Sequence, residues 1–243
     1  MIGKKIIRLD SVDSTNNYLK EILKSGNPEE GLLVIAEEQI AGRGQAANIW
    51  LSNKGENLTF SFLLYPNYIK PINQFLISKF VCLALADLLE GHLKNIKIKW
   101  PNDIYVKEKK IAGILIENIL MGKSISSSIV GIGLNINQFE FPSGINATSM
   151  LLEKRQKFNT EFILQSLIDN LNNYLSMIKS NKIEEIGKAY ISKLYRYKEW
   201  HYFNSNGKTF KAFIEGVDEY GRLILKNKEK KSLVYGFKEV LYI

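Results

Sequence analysis

The stretch KWPNDIYVKEKKIAGILIE, residues 99–117, carries the most structural information in this chain of 243 residues. Its Trp-Pro corner presents Asn102 and Asp103, and the apolar residues on both sides of KEKK predict a β-hairpin with that basic segment at its tip. Lys110 stands at the mouth of the second strand, where Gly113 leaves room for a ligand. Taken alone, the corner is equally well explained as an ordinary turn.

The hydrophobic pattern around this hairpin predicts a mixture of strands and helices. Helical spacing with end signals occurs in STNNYLKEILKSG (14–26), in the long segment 71–93 that starts with Pro71, in 160–180 and in 183–195. Strand-like runs are LLVIAEE (32–38), LTFSFLLYP (58–66), IKIKW (96–100), both arms of the hairpin and SSIVGIGLNIN (127–137). We therefore predict an α+β fold, a mixed β-sheet with flanking helices.

The tail of the chain has a different character from about Lys198 onward. Short alternating segments follow one another there, namely KTFKAFIEGV, GRLILKN and SLVYGF, separated by turns such as NSNG and DEYG. This pattern predicts a main domain over residues 1–196 and a small β-barrel-like domain over 197–243. Because the second unit is near the lower size limit for an independent core, we expect it to pack on the first.

Composition excludes several classes of protein. The best apolar run, FLISKFVCLALADLL, is shorter than the roughly 18–20 residues of a membrane span and contains Lys79. The N-terminus lacks the long apolar segment of a signal peptide, so we expect no membrane association and a cytoplasmic location. A single cysteine, Cys82, and two distant histidines exclude an internal disulfide and a His- or Cys-based metal site.

The net charge of +8 raises the question of nucleic acid. Most of this charge is dispersed lysine, with only five arginines, and no basic stripe contains interleaved aromatic residues. A solvated surface is the simpler explanation, and an acidic protein partner would also suit the charge. We expect no specific nucleic-acid binding.

Three more segments carry small or hydrogen-bonding residues in suggestive places. DSTNN (13–17) puts three small hydrogen-bonding side chains at a helix start and, taken alone, is explained as a helix cap. AGRGQAANIW (41–50) allows close backbone approach through its glycines, and Arg43 can bind phosphate or carboxylate, but a surface loop is at least as good an explanation. GIGLNIN (131–137) leaves one strand face without side chains, against which a flat ligand can pack.

Together these motifs resemble those of the biotin protein ligases. Five motifs occur in the order of that family over about residues 10–140, namely STN, the Gly-Arg-Gly loop with a downstream Trp, KWPND, KxAGIL followed by Ile-Glu, and GxGxN. The tail resembles the family's small SH3-like domain. The resemblance implies a class II synthetase-like, biotin–lipoate ligase catalytic domain followed by an SH3-like β-barrel.

The resemblance also implies a two-step reaction. The carboxylate of biotin attacks the α-phosphate of ATP to give biotinyl-5′-AMP and pyrophosphate. A lysine amine of the biotin carboxyl carrier domain of an acyl-CoA carboxylase then attacks the mixed anhydride. ATP and biotin are the implied substrates, with Mg²⁺ as the accompanying ion. The chemistry needs cations where negative charge accumulates.

Site residues follow by motif position. Arg43 and Lys110 are the implied catalytic cations. The residues implied to bind biotin are Ser14, Thr15, Asn16, Gln39, Gly42, Arg43, Gly44, Gln45, Lys110, Gly113 and Gly133. Those implied to bind ATP or the adenylate are Arg43, Trp50, Lys99, Asn102, Lys110 and Asn135. Asp103 is expected either to orient Lys110 or to contact the magnesium that accompanies ATP.

The chain departs from the family pattern at Ala46 and Ala47, where relatives often carry a basic residue and a glycine. We expect the loop to hold the reactive intermediate less tightly, unless Lys54 supplies the missing charge. The early STN motif predicts a ligase without the DNA-binding domain that some members carry. Alternatives are a lipoate or octanoate ligase or transferase of the same fold, a basic nucleic-acid-binding module, and a biotin-binding paralogue with weakened catalysis. Monomer and homodimer both remain open.

Overall fold

A seven-stranded mixed sheet forms the centre of the first part of the protein, in a computed structural model that describes residues 1–45 and 48–243. Ala46 and Ala47, on which the predicted loop departure depends, lie outside the described residues. The strands are β1 (Ile6–Val12), β2 (Leu33–Gln39), β3 (Leu58–Leu64), β4 (Ile96–Lys99), β5 (Asp103–Val106), β6 (Lys109–Met121) and β7 (Ser124–Leu134). Their spatial order is β1-β2-β3-β7-β6-β5-β4, with β1 parallel to β2 and every other neighbouring pair antiparallel.

The predicted strands and the hairpin at KEKK are confirmed, whereas β1 is a strand that the sequence pattern did not indicate. β1 lies at the edge of the sheet, and each of its residues is exposed or only partly buried. An edge strand buries too little apolar surface to show a clear alternation of apolar and polar residues. In the hairpin, Lys107 adopts a left-handed conformation with φ of 54°, which lets the chain turn between Val106 and Lys109.

Five helices pack around this sheet in the described part of the chain. They are α1 (Thr15–Ser25), α2 (Phe75–Glu90), α3 (Met150–Lys154), α4 (Thr160–Lys179) and α5 (Ile183–Ser192). The four predicted helices are confirmed, and α3 is an additional short one. Asn159 caps α4 by accepting a hydrogen bond of 3.0 Å from the Phe162 amide, and Ser149 caps α3 in the same way.

The helical segment Pro71–Glu90 is longer than the apolar run that the sequence analysis judged too short to span a membrane. It is 20 residues long, so by length and composition alone it could cross a membrane. In the fold, however, it packs against α4, α5 and the sheet, and side chains such as Phe80 and Leu83 are fully buried. Its apolar character is therefore accounted for by the protein core.

A second, five-stranded antiparallel sheet follows α5 and is consistent with an SH3-like domain, as predicted. Its strands are β8 (His201–Ser205), β9 (Lys208–Val217), β10 (Leu223–Asn227), β11 (Ser232–Tyr235) and β12 (Leu241–Tyr242), in the order β11-β10-β9-β8-β12. The turns predicted at NSNG and DEYG lie between β8 and β9 and between β9 and β10.

The two sheets share one hydrophobic core. Buried residues of the second sheet, such as Phe203 and Ile214, belong to the same contiguous cluster as the residues of α2. The Trp100 indole donates a hydrogen bond of 2.8 Å to the carbonyl oxygen of Gly221, and so joins the KWPND corner to the second sheet. The predicted domain boundary at residues 196 and 197 lies between α5 and β8, and it stays a prediction.

Candidate functional site

A polar network at the start of α1 forms one wall of the candidate site. Gln39 Oε1 accepts hydrogen bonds from the Thr15 amide at 2.8 Å and from Thr15 Oγ1 at 3.1 Å. Ser61 Oγ lies 2.6 Å from Thr15 Oγ1 and donates to Asn16 Oδ1 at 2.5 Å. Ser14 stands at the N-cap position, yet its side chain makes no capping hydrogen bond. Thus DSTNN is more than a helix cap, because it builds a hydrogen-bonded wall in a buried place.

Ser61 is a member of this wall that the sequence analysis missed. It is fully buried in β3, among leucines and phenylalanines. A small polar residue inside an otherwise apolar strand is the signal that could have identified it, since a buried hydroxyl needs a partner.

Glu117, the last residue of the KxAGIL motif region, organises the cations near this wall. Its carboxylate accepts hydrogen bonds from Lys20 Nζ at 2.6 Å and from Asn16 Nδ2 at 2.8 Å, and forms an ion pair of 3.1 Å with Arg43 Nη2. Burial alone would raise the pKa of Glu117, but the hydrogen bonds from Lys20 and Asn16 and the charges of Lys20 and Arg43 hold it below its usual value. Glu117 is therefore ionised at neutral pH and holds Arg43 at the pocket entrance.

The loop that carries Arg43 folds back on itself. The Trp50 amide donates to the Gly42 carbonyl oxygen at 2.9 Å, and Arg43 pairs with Ile49 in an isolated bridge. A Cβ atom at position 42 would lie 2.4 Å from the Trp50 carbonyl oxygen, so this close approach of the backbone requires a glycine. Lys54, the suggested compensating charge, is directed elsewhere, because it pairs with Asp10 at 2.8 Å.

Glycines from two neighbouring strands form the floor of the site. Gly113 of β6 and Gly133 of β7 lie directly opposite each other in the sheet. The Trp50 indole rests on them so closely that a Cβ atom at Gly133 would lie 2.2 Å from Trp50 Cε2. As predicted from the sequence, this strand face has no side chains, and a flat ring occupies the space.

The wall, the loop and the floor enclose a cavity that we call the glycine-floored pocket. Twelve of the predicted site residues line it, namely Ser14, Thr15, Asn16, Gln39, Arg43, Gly44, Gln45, Trp50, Asn102, Lys110, Gly113 and Gly133. Two lining atoms, Gln45 Oε1 and Trp50 Nε1, are buried and have no hydrogen-bond partner within the described part of the chain. A buried polar atom without a partner costs free energy, so both atoms are suited to meet the polar groups of a ligand.

Lys110 stands where the glycine-floored pocket meets a second cleft. Its ammonium nitrogen lies 2.7 Å from Asp103 Oδ1 and 5.7 Å from the centre of the Trp50 ring. Asp103 is expected from the sequence either to orient Lys110 or to contact the magnesium that accompanies ATP. This ion pair supports the first of these two roles. Among the described residues, no group of three or more His, Cys, Asp or Glu side chains could hold a metal ion.

The second cleft, which we call the inter-sheet cleft, lies between the first sheet and the end of the chain. Its lining includes Trp50, Lys99, Asn102, Asp103, Lys110, Phe237, Lys238 and Tyr242. Burial lowers the pKa of Lys99, and the Asp103 carboxylate partly opposes this effect. Two lysines on one cleft wall, Lys99 and Lys110, create a place suited to an anion.

Two predicted site residues line neither cavity, namely Gly42 of the Arg43 loop and Asn135. The side-chain amide of Asn135 donates to the Thr148 carbonyl oxygen at 3.0 Å, and only 3% of the residue is exposed. Its Oδ1 atom has no partner among the described residues. In this structure Asn135 supports the segment next to the floor strand, and its contact with the nucleotide stays a prediction.

Comparison with known proteins gives a family and several relatives. Residues 9–137 match the model of the biotin/lipoate A/B protein ligase family. The bifunctional ligase/repressor BirA of Bacillus spizizenii is 32% identical over 176 residues, which are 69% of this chain and 53% of that protein. The biotin–[acetyl-CoA-carboxylase] ligase of Paracoccus denitrificans is 28% identical over 236 residues, which are 93% of this chain and 96% of that protein.

Among solved structures, a biotin protein ligase from Aquifex aeolicus in complex with biotin and ATP matches with a TM-score of 0.83 at 29% identity. That match covers 99% of this chain and 100% of the other, and it confirms the predicted mixed sheet with flanking helices. The chain spans about half the length of the Bacillus relatives that it matches.

Proposed function

Because the chain belongs to the biotin/lipoate A/B protein ligase family, we propose that it is an ATP-dependent ligase that joins biotin to a lysine of a carrier protein. The single observation that carries this proposal is the glycine-floored pocket. It combines a buried hydrogen-bonding wall, a flat floor without side chains, and cations at its mouth. This combination matches a ligand with a polar ring system at one end and a carboxylate at the other.

The ureido head of biotin would bind at the wall. Ser14 has a side chain that is not used for capping, and Asn16 and Gln39, whose amide oxygens accept hydrogen bonds within the wall, also line the pocket. A ureido group buried without partners would cost about 1–3 kcal/mol, so this wall would favour biotin over a purely apolar acid. The glycine floor would accept the flat face of the rings in place of the Trp50 indole, which rests on it in this structure.

In the first step, a carboxylate oxygen of biotin would attack the α-phosphorus of ATP. A bond forms between that oxygen and phosphorus, and the bond to the bridging oxygen breaks, so that pyrophosphate leaves with the electron pair. Arg43 and Lys110 are the cations placed to offset the negative charge that accumulates. Glu117 pairs with Arg43 and Asp103 pairs with Lys110, so binding of an anionic substrate would exchange a carboxylate partner of each cation for a group of the substrate.

In the second step, the neutral amine of the carrier lysine would attack the acyl carbon of biotinyl-5′-AMP. AMP leaves with the electron pair of the cleaved carbon–oxygen bond, and the amine loses a proton to solvent. We propose the biotin carboxyl carrier domain of an acyl-CoA carboxylase as the acceptor. The net charge of +8 suits an acidic acceptor surface.

Magnesium would enter with ATP as part of the substrate. Asp103 is engaged by Lys110, and the described residues hold no cluster of metal ligands. We therefore assign the magnesium to the ATP substrate and not to a resident site of the protein. A cytoplasmic location and a monomeric or dimeric state stay predictions.

The test is the ATP-dependent transfer of biotin to an apo-carrier domain, measured as the mass increase of the carrier. We expect transfer by the wild type, a loss of about 10²- to 10³-fold for Lys110→Ala, and little change for the exposed neighbour Lys109→Ala. Lipoate replaces biotin in a parallel reaction, and preferred transfer of lipoate would contradict the proposal. Biotin binding without any transfer would instead indicate the paralogue with weakened catalysis.

A further inference from the structure

Lys99 is held between two aromatic rings that come from different sheets. Its ammonium nitrogen lies 4.7 Å from the ring centre of Tyr105 in β5 and 5.1 Å from that of Tyr242 in β12. It also donates a hydrogen bond of 3.1 Å to the Tyr105 hydroxyl. Both distances are within the range of about 6 Å for an attractive cation–π contact.

The Tyr105 phenol stays neutral in this arrangement. Burial, together with the nearby charges of Asp103 and Glu108 and the neighbouring Tyr195 phenol, raises the pKa of Tyr105 to about 12. Tyr105 therefore attracts the ammonium through its hydroxyl oxygen and its ring, without adding a negative charge to the inter-sheet cleft.

Tyr242 is fixed in position by the second sheet. Its ring centre lies 5.3 Å from that of Phe203, and its backbone pairs with the same residue in β8. Arg196 donates to the main-chain oxygen of the next residue, Ile243, at 2.7 Å. The Tyr242 hydroxyl is buried and has no hydrogen-bond partner among the described residues, so the ring itself makes the contact with Lys99.

The position of Lys99 has a consequence for its neighbour Lys110. Lys99 and Asp103 are direct partners in the β4–β5 hairpin, where opposite charges attract. Nevertheless the Asp103 carboxylate pairs with Lys110, at 2.7 Å, and Lys99 makes no ion pair with any described residue. The two rings thus keep the Lys99 ammonium in the inter-sheet cleft, where its charge remains available to an anion.

We propose that Tyr242 and Tyr105 are positioning residues that hold Lys99 for the polyphosphate of ATP, so that the second sheet controls the adenylation step. This inference rests on the proposed function. Lys99 would bind the part of the nucleotide that leaves as pyrophosphate, whereas the transfer step, in which pyrophosphate is already absent, would not need it. Removal of a ring should therefore affect one half-reaction and spare the other.

The experiment measures the two half-reactions separately for the full chain. Adenylation is followed as biotin-dependent exchange of pyrophosphate into ATP, and transfer as labelling of an apo-carrier by pre-formed biotinyl-5′-AMP without ATP. For Tyr242→Leu we expect the KM for ATP to rise about 3- to 30-fold, the magnitude of one cation–π contact. The KM for biotin and the transfer rate should stay at the wild-type level.

Three further variants serve as controls. Tyr242→Phe keeps the ring and should behave like the wild type. Tyr202→Leu removes a cation–π contact with Lys211 on the surface of the same sheet, and should also leave the KM for ATP unchanged. In a Lys99→Gln background, Tyr242→Leu should add no further increase, since Tyr242 acts through Lys99. Tyr105→Leu tests the same prediction if Tyr242→Leu does not fold.

Several outcomes would overturn the inference while leaving the proposed function intact. They are an unchanged KM for ATP in both leucine variants, an equal loss in both half-reactions, or a Tyr242→Phe variant as impaired as Tyr242→Leu. A wild type that performs neither half-reaction would overturn the proposed function itself.

Discussion

Gly133→Ala is the substitution that tests the glycine floor most directly. The added Cβ atom would lie 2.2 Å from Trp50 Cε2, whereas ordinary van der Waals contacts begin at 3.4 Å. The indole must therefore retreat by about 1 Å, and the backbone of the loop must move with it, because the Trp50 amide is bonded to Gly42. Overpacking of this kind costs about 1–3 kcal/mol.

If the biotin rings replace the Trp50 indole on the floor, the same Cβ atom projects against those rings, and an overpacking cost of this size appears in binding. A loss of 1–3 kcal/mol corresponds to about 5- to 150-fold in affinity. We expect calorimetry to show weaker biotin binding in that range for Gly133→Ala, together with a shift in tryptophan fluorescence as Trp50 leaves the floor.

Two other glycines provide matched controls. A Cβ atom at Gly187 in α5 meets nothing within 4 Å, so Gly187→Ala should bind biotin like the wild type. At Gly113 the nearest atoms, at 3.0 Å, are the flexible end of Lys110, so Gly113→Ala should have a smaller effect. Wild-type biotin affinity and fluorescence in Gly133→Ala would refute the assignment of the floor.

Three further predictions concern the cations around the pocket. Arg43→Ala should lower pyrophosphate exchange by about 10²- to 10³-fold, because it removes a preorganised charge; exchange within threefold of the wild type would contradict this role. Glu117→Gln should lower the free energy of unfolding at pH 7 by about 1–2 kcal/mol. Because the pKa of Glu117 is lowered in the folded protein, the difference in unfolding free energy between wild type and variant should persist down to the usual carboxyl value near 4.5 and disappear as the pH falls further. Urea denaturation at several pH values measures this difference. A difference independent of pH would exclude ionic pairing as the cause. Combined Ala46→Arg and Ala47→Gly should reduce biotin labelling of bystander proteins, scored by mass spectrometry, and equal labelling would refute weak retention of the intermediate.

Local sequence patterns were sufficient to predict most of the helices and strands of the fold. The spacing of apolar residues and the end signals indicate α1, α2, α4 and α5, because these features depend on neighbours along the chain. The same local information did not predict the edge strand β1, because this strand buries little apolar surface. The five-residue helix α3 is too short to show a periodic pattern.

The candidate site was recognisable from motif identity, but several of its members were not. Ser61 and Glu117 complete the polar wall, although Ser61 lies outside every motif and the position of Glu117 at the end of one does not indicate that it pairs with Arg43. Asn135 fits the family pattern, yet its side chain is bonded to Thr148 and lines neither cavity. Whether a motif residue faces a cavity depends on strand register and packing, which single motifs do not encode.

The amino-acid sequence by itself determined which chemical groups this protein has available: a polar helix start, a Gly-Arg-Gly loop, two lysines near a Trp-Pro corner, and glycines in two strands. Only the tertiary structure decided how they meet. Strand register places Gly113 opposite Gly133, and docking of the second sheet brings Tyr242 against Lys99. The physical reason is that propensities and motifs act between near neighbours, whereas the contacts that shape the site join residues far apart in the chain through a shared core.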